Sequence, residues 1–187
     1  TNGGIVTPTL NANPDNPNGL QLRNLNGGLL IASDHKLWIE AVGKTGGLSS
    51  YDPKTETFTN YAINIADSTK VPNQTNSVLF EDITKNIWFN SYDESQSFIC
   101  KIDPKTQKVS RYPYLVGRKN NDIVLNFAIA ESKKDSSIWL NNDNKIIRYD
   151  RKKDAFETQF KAGDIIPGTT YRDTIIDINS IKKDGLI

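Results

Sequence analysis

Three tryptophans spaced 50 and 51 residues apart, a polar-turn phrase recurring around each, and the lack of any amphipathic helical window predict an all-β chain. The expected fold is a β-propeller of four-stranded antiparallel blades, with about three blades present, hence a partial propeller. Helical solenoids would show a helical period, leucine-rich repeats a shorter one, and an immunoglobulin-type sandwich no repeat at all.

Residues 1–28 read as the end of a preceding blade, with a strand at Ile5–Leu10, followed by a Pro/Asn-rich connector. Blades then occupy residues 29–75, 76–124 and 125–175, and 176–187 restart the pattern as the opening of a further blade, all within one propeller domain. In each blade a short apolar strand enters a polar turn and leaves it into a strand that carries the Trp: Leu29 to Trp38, Val78 to Trp88 and Phe127 to Trp139. A second phrase follows at Leu48 to Thr55, Cys100 to Thr106 and Ile147 to Asp154, each leading to a strand with an aromatic near its end, at Tyr61, Tyr112 or Phe160. Asp52-Pro53-Lys54-Thr55 is a tight turn for a physical reason. The Asp side chain bonds the backbone two residues on, and Pro presets φ at the next position. The alternation of Phe58 and Asn60 against Thr59 and Tyr61 is that of a strand with one buried face.

The composition, 36% hydrophobic and 24% charged over 187 residues, is that of an ordinary globular protein able to bury a core. A formal net charge of +1, with both signs interspersed, provides no stripe for nucleic acid or for an anionic membrane, so neither is expected as a partner. No apolar run approaches the roughly 18 residues of a membrane helix, so no membrane insertion is expected of this segment. The chain opens at Thr1 and contains no Met, which reads as a processed or excised piece of a longer array. The single Cys100, in the apolar run Phe98-Ile99-Cys100, is expected to be a small buried hydrophobe.

Asn76-Ser77-Val78, Glu81-Asp82, Ile87-Trp88, Gly46-Gly47-Leu48 and Tyr51-Asp52 match, across different blades, the repeat phrase of a known family. The chain resembles, over about residues 29–187, the propeller repeats of periplasmic sensor regions in Bacteroidetes hybrid two-component regulators. The resemblance implies a periplasmic or extracellular sensor that recognises a glycan fragment, forms a homodimer and signals to a kinase elsewhere in its protein. This segment itself contains no kinase or hydrolase motif, so no enzymatic activity is expected of it. Related blades also occur in lyases, lactonase-like enzymes and cell-surface scaffolds, which supply the alternative functions.

Residues that recur in every blade serve the blade; residues that break the repeat are the candidates for function. The three tryptophans are therefore assigned to packing, and Asp52, Asp103 and Asp150 to turns. His35, the only histidine, sits in the Asp34-His35-Lys36 turn without a sequence partner for catalysis or metal binding, so catalytic residues, metal and cofactors are all expected to be absent. The expected ligand-binding residues are Tyr92, Asp93, Tyr114, Arg118, Lys119, Tyr171 and Arg172, in the loops that share one face of a propeller. Aromatic rings there suit stacking on a sugar, and the polar groups suit its hydroxyls.

Overall fold

The computed structural model describes residues 16, 19–20, 28–41, 47–61, 74–92, 96–116, 128–142 and 145–161. Twelve strands form three four-stranded antiparallel meanders, and no helix occurs among the described residues. The first sheet comprises β1 (Leu29–Ile31), β2 (Leu37–Ala41), β3 (Gly47–Asp52) and β4 (Thr57–Tyr61). The second comprises β5 (Gln74–Glu81), β6 (Ile87–Tyr92), β7 (Gln96–Ile102) and β8 (Val109–Val116). The third comprises β9 (Ile129–Glu131), β10 (Ile138–Asn142), β11 (Lys145–Asp150) and β12 (Ala155–Lys161). Strand β5 straddles the 75/76 boundary read from the sequence. The expected strand at Ile5–Leu10 and the restart at 176–187 lie outside the described residues.

The turns repeat as closely as the strands. Where β1 meets β2, β5 meets β6 and β9 meets β10, the left-handed position is taken by His35, Lys85 and Ser136, with φ of 68°, 71° and 54°. Where β3 meets β4, β7 meets β8 and β11 meets β12, it is taken by Glu56, Gln107 and Asp154, with φ of 56°, 57° and 50°. None of these is glycine, so each carries some backbone strain that the turn must offset. Asp52, Asp103 and Asp150 supply the offset as expected: each Oδ1 accepts the backbone N–H two residues on, at 2.9, 2.9 and 2.8 Å. His35 is an exposed turn residue, as read from the sequence.

Period-two alternation gives each sheet two apolar faces, and the sheets stack through them. On the second sheet, Ile87, Phe89, Cys100 and Ile102 pack toward Trp38, Leu48 and Ala32 of the first. Its other face, with Trp88 and Ile99, packs on Ile138, Leu140, Ile147 and Tyr149 of the third. A middle sheet buried on both sides is what a propeller blade requires, and the Trp of one blade is the residue that meets the next. Trp38 and Trp88 are 1% and 0% exposed. Trp139, on the far face of the third sheet, is half-buried beneath Arg148, whose guanidinium lies 5.6 Å from the ring centre. Leu20 closes the outer face of the first sheet over Ile39, Leu37 and Phe58.

Cys100 is fully buried between the first two sheets, and burial pushes its thiol well above the ordinary range. A thiol reagent should therefore label the native protein slowly and the urea-unfolded protein at once. Equal rates would show that this interface opens freely.

Candidate ligand site between the blades

The cross-strand register aligns Trp38 with Leu30, Trp88 with Phe80 and Trp139 with Ala130. Two residues further along, Ala32, Asp82 and Ser132 therefore occupy one structural position, and what they do there separates the two inter-blade interfaces.

Between the second and third sheets the position is filled by Asp82, which is 2% exposed. Its carboxylate accepts from the Thr84 N–H (2.8 Å) and hydroxyl (2.7 Å), the Asn86 N–H (3.0 Å) and the indole Nε1 of Trp88 (2.8 Å). Arg151, from the β11–β12 turn, adds its Nη1 at 3.2 Å to Asp82 and 3.2 Å to the Thr84 hydroxyl, its Nη2 at 2.7 Å to Glu131, and its Nε at 3.1 Å to the Ser136 carbonyl. Burial opposes the Asp82 charge, but these donors and the guanidinium outweigh it and hold the carboxyl below its usual range. Glu131 also accepts the Ile83 N–H at 2.9 Å, which ties the third sheet to the second sheet's turn. A second lock lies alongside. Lys101 Nζ contacts Tyr149 Oη (2.6 Å) and Asp154 Oδ1 (2.7 Å) among the rings of Trp88, Tyr112 and Tyr149. Burial lowers the Lys101 pKa, but hydrogen bonds to Asp154 and Tyr149 prevail and raise it.

Between the first and second sheets the same staple exists but the closure does not. Glu81 accepts the Ser33 N–H at 2.8 Å and the Ser33 hydroxyl at 2.7 Å, as Glu131 does with Ile83 one blade later. The position of Asp82, however, is held by Ala32, and that of Arg151 by Pro104 of the Asp103-Pro104-Lys105 turn. A cavity of about 290 Å³ results, with Ala32, Asp34, Trp38, Glu81, Lys85 and Pro104 in its lining. The indole Nε1 of Trp38, buried and deprived of an aspartate at position 32, has no hydrogen-bond partner among the described residues.

Toward the opposite end of these strands the interface holds a second irregularity. Glu40 is 1% exposed where the neighbouring blades carry Asn90 and Asn141. Its Oε2 accepts the Gly28 N–H at 3.2 Å, while Oε1 has no partner among the described residues. Burial raises its pKa from 4.5 to about 8, partly countered by the Gly28 bond. A Cβ at position 28 would stand 3.0 Å from Glu40 Oε2, so a larger residue there would have to push the carboxylate aside by a few tenths of an ångström.

Of the residues that the sequence puts forward as ligand-binding, only Tyr92 and Tyr114 lie among the described residues, at the same end of the second sheet. Tyr92 ends β6 opposite Gln74 and Ser97, and Tyr114 lies in β8. Asp93, Arg118, Lys119, Tyr171 and Arg172 lie outside the described residues. The cavity is at the other end of the sheets, the end with the β1–β2 and β7–β8 turns. Among the described residues no group of three or more His, Cys, Asp or Glu is placed to hold a metal ion, and no helix is long and apolar enough to cross a membrane.

Three antiparallel meanders stacked face to face through a recurring Trp define this chain as a partial β-propeller, with an inter-blade cavity between the first two sheets. It matches no protein-family model and no curated protein. Among solved structures it is similar to the PQQ domain of pyranose dehydrogenase from Coprinopsis cinerea, with 14% identity and a TM-score of 0.43 over 72% of this chain and 36% of that one. It is also similar to two extracellular domains from B. thetaiotaomicron. One is attributed to the hybrid two-component system BT3049, with 13% identity, a TM-score of 0.43, and 83% and 25% of the two chains covered. The other is attributed to the one-component system BT4673, with 15% identity, a TM-score of 0.27, and 70% and 23% covered. The chain thus spans about a third or less of the length of each of these domains.

Proposed function

We propose that this chain is a segment of an extracytoplasmic ligand-recognition propeller of the two-component sensor kind, which binds a glycan or another small molecule and catalyses no reaction itself. The observation that carries this reading is the open interface between the first two sheets. The next interface shows how the same fold closes that space with an Asp–Arg pair, so the cavity is a departure from the blade pattern and not a requirement of it. Concave sites with a few convergent polar groups are where small molecules bind. The repeat phrases shared with sensor propellers support the signalling context.

A thermal-unfolding screen of the intact protein against glycan fragments, amino acids and organic acids tests it. A ligand present at about 100 times its Kd should add roughly 2.7 kcal/mol of stability and raise the midpoint by several degrees. Turnover of any of these compounds, or no shift from any class, would overturn the reading.

A further inference from the structure

The open interface lacks both members of the pair that closes its neighbour, and each absence leaves a recognisable partner. Glu81 stands where Glu131 receives Arg151 Nη2 at 2.7 Å. Among the described residues its own Oε1 takes only the Ser33 hydroxyl, at 2.7 Å, which leaves lone-pair capacity for a further donor. Asp34 stands where the Thr84 hydroxyl meets Arg151, so a carboxylate replaces a neutral acceptor; its Oδ1 takes the Lys36 N–H at 3.1 Å, and the Lys36 ammonium lies 4.0 Å from its Oδ2. These are places for a cation. The indole N–H of Trp38 is left unpaired where Trp88 has Asp82 at 2.8 Å, but the nitrogen is sealed from the cavity and marks the missing carboxylate without contacting a ligand. Lys85 and Lys105 add positive charge to the same lining.

The geometry points to a binding site here for a small amphoteric molecule of the amino-acid class, which brings a guanidinium or ammonium group to Glu81 and Asp34 and a carboxylate to Lys85 and Lys105. This rests on the ligand-recognition reading and deepens it by naming site and chemistry. Lining charge of both signs suits a zwitterion better than a neutral sugar, a simple amine or an inorganic anion. A volume of about 290 Å³ lies at the small end of ligand sites and holds one such molecule, not an oligosaccharide.

The test is titration calorimetry on the intact protein with L-arginine, agmatine and a mixture of neutral oligosaccharides, repeated on Pro104→Arg and Glu81→Gln. Arginine is already tolerated at the Pro104 position, as Arg151 in the third blade, so Pro104→Arg should fold and fill the cavity. Glu81→Gln keeps an oxygen for Ser33 and removes the charge. Arginine should bind one to one. Agmatine, which lacks the carboxylate, should bind at least about tenfold more weakly, a difference of roughly 1.4 kcal/mol. Pro104→Arg should abolish arginine binding, and Glu81→Gln should weaken it by a similar tenfold, with unfolding midpoints near that of the parent. Arginine binding unchanged in both variants would overturn the location. Oligosaccharide binding without arginine binding would overturn the ligand class and leave the recognition reading standing. No binding by any of these probes would overturn the amino-acid site, while the recognition reading itself falls only if the wider thermal screen also shows no shift.

Discussion

Asp82→Ala should destabilise the protein by about 3–5 kcal/mol, because it strips one buried acceptor from six donors at once. The Thr84 N–H and hydroxyl, the Asn86 N–H and side-chain amide, the Trp88 indole N–H and one arm of Arg151 all lose this acceptor. Arg151 retains Glu131 and the Ser136 carbonyl, so the third sheet stays attached but the β5–β6 turn loses its organiser. Urea unfolding monitored by Trp fluorescence measures the change. Asp82→Asn, which keeps an oxygen and a similar shape, should cost clearly less. Ala32 marks how the first blade differs: a single donor, Trp38 Nε1, is left unpaired there, and no arginine depends on it. A loss below about 1 kcal/mol in Asp82→Ala would mean that apolar packing alone joins the second and third sheets. The depressed Asp82 pKa adds a pH signature. Its contribution is present above the unfolded-state pKa of about 3.9 and is lost as pH falls through the lower folded value.

Glu40→Gln should act in the opposite direction and stabilise the protein in a pH-dependent way. In the folded chain Glu40 keeps its proton up to about pH 8, whereas in the unfolded chain it loses it near 4.5. Below 4.5 both states are protonated and the residue adds no pH dependence. Between 4.5 and 8 the folded state holds a proton that the unfolded state has released, so stability falls as pH rises, by up to about 1.4 kcal/mol per unit. The accumulated cost is on the order of 5 kcal/mol by pH 8 and is constant beyond it. Glu40→Gln retains an acceptor for the Gly28 N–H and has no charge to desolvate, so its advantage should be near zero at pH 4 and greatest at pH 8. Chemical denaturation of both proteins at half-unit pH intervals gives the difference curve. Parallel curves would show that Glu40 is ionised in the folded protein and that water reaches it.

Much of the scaffold was legible because it is periodic. A residue that returns every 50 positions in the same local phrase has the same local job, so the three Trp positions, the Asp turns at 52, 103 and 150, and buried Cys100 all followed from strand alternation and turn chemistry. The left-handed turn positions did not follow, because His35, Glu56, Lys85 and their counterparts are neither Gly nor Asn and carry no φ signal of their own. In the sequence, the departures from the repeat that stand out are the segments around Tyr92, Tyr114 and Tyr171. The departure that the structure makes visible is at the opposite end of the sheets from Tyr92 and Tyr114. Ala32 in place of Asp82, and Pro104 in place of Arg151, stand in the same repeated phrases, yet each looks like ordinary variation when read alone.

The sequence by itself determined what each strand and turn is, because hydrophobic alternation, Asx turns and the Trp period are local properties. Only the tertiary structure decided that residues 69 positions apart, Asp82 and Arg151, form one lock, and that their counterparts at 32 and 104 leave a cavity. The reason is physical. An ion pair between two blades depends on how the sheets stack face to face, and the chain pattern within one blade carries no record of what its neighbour presents.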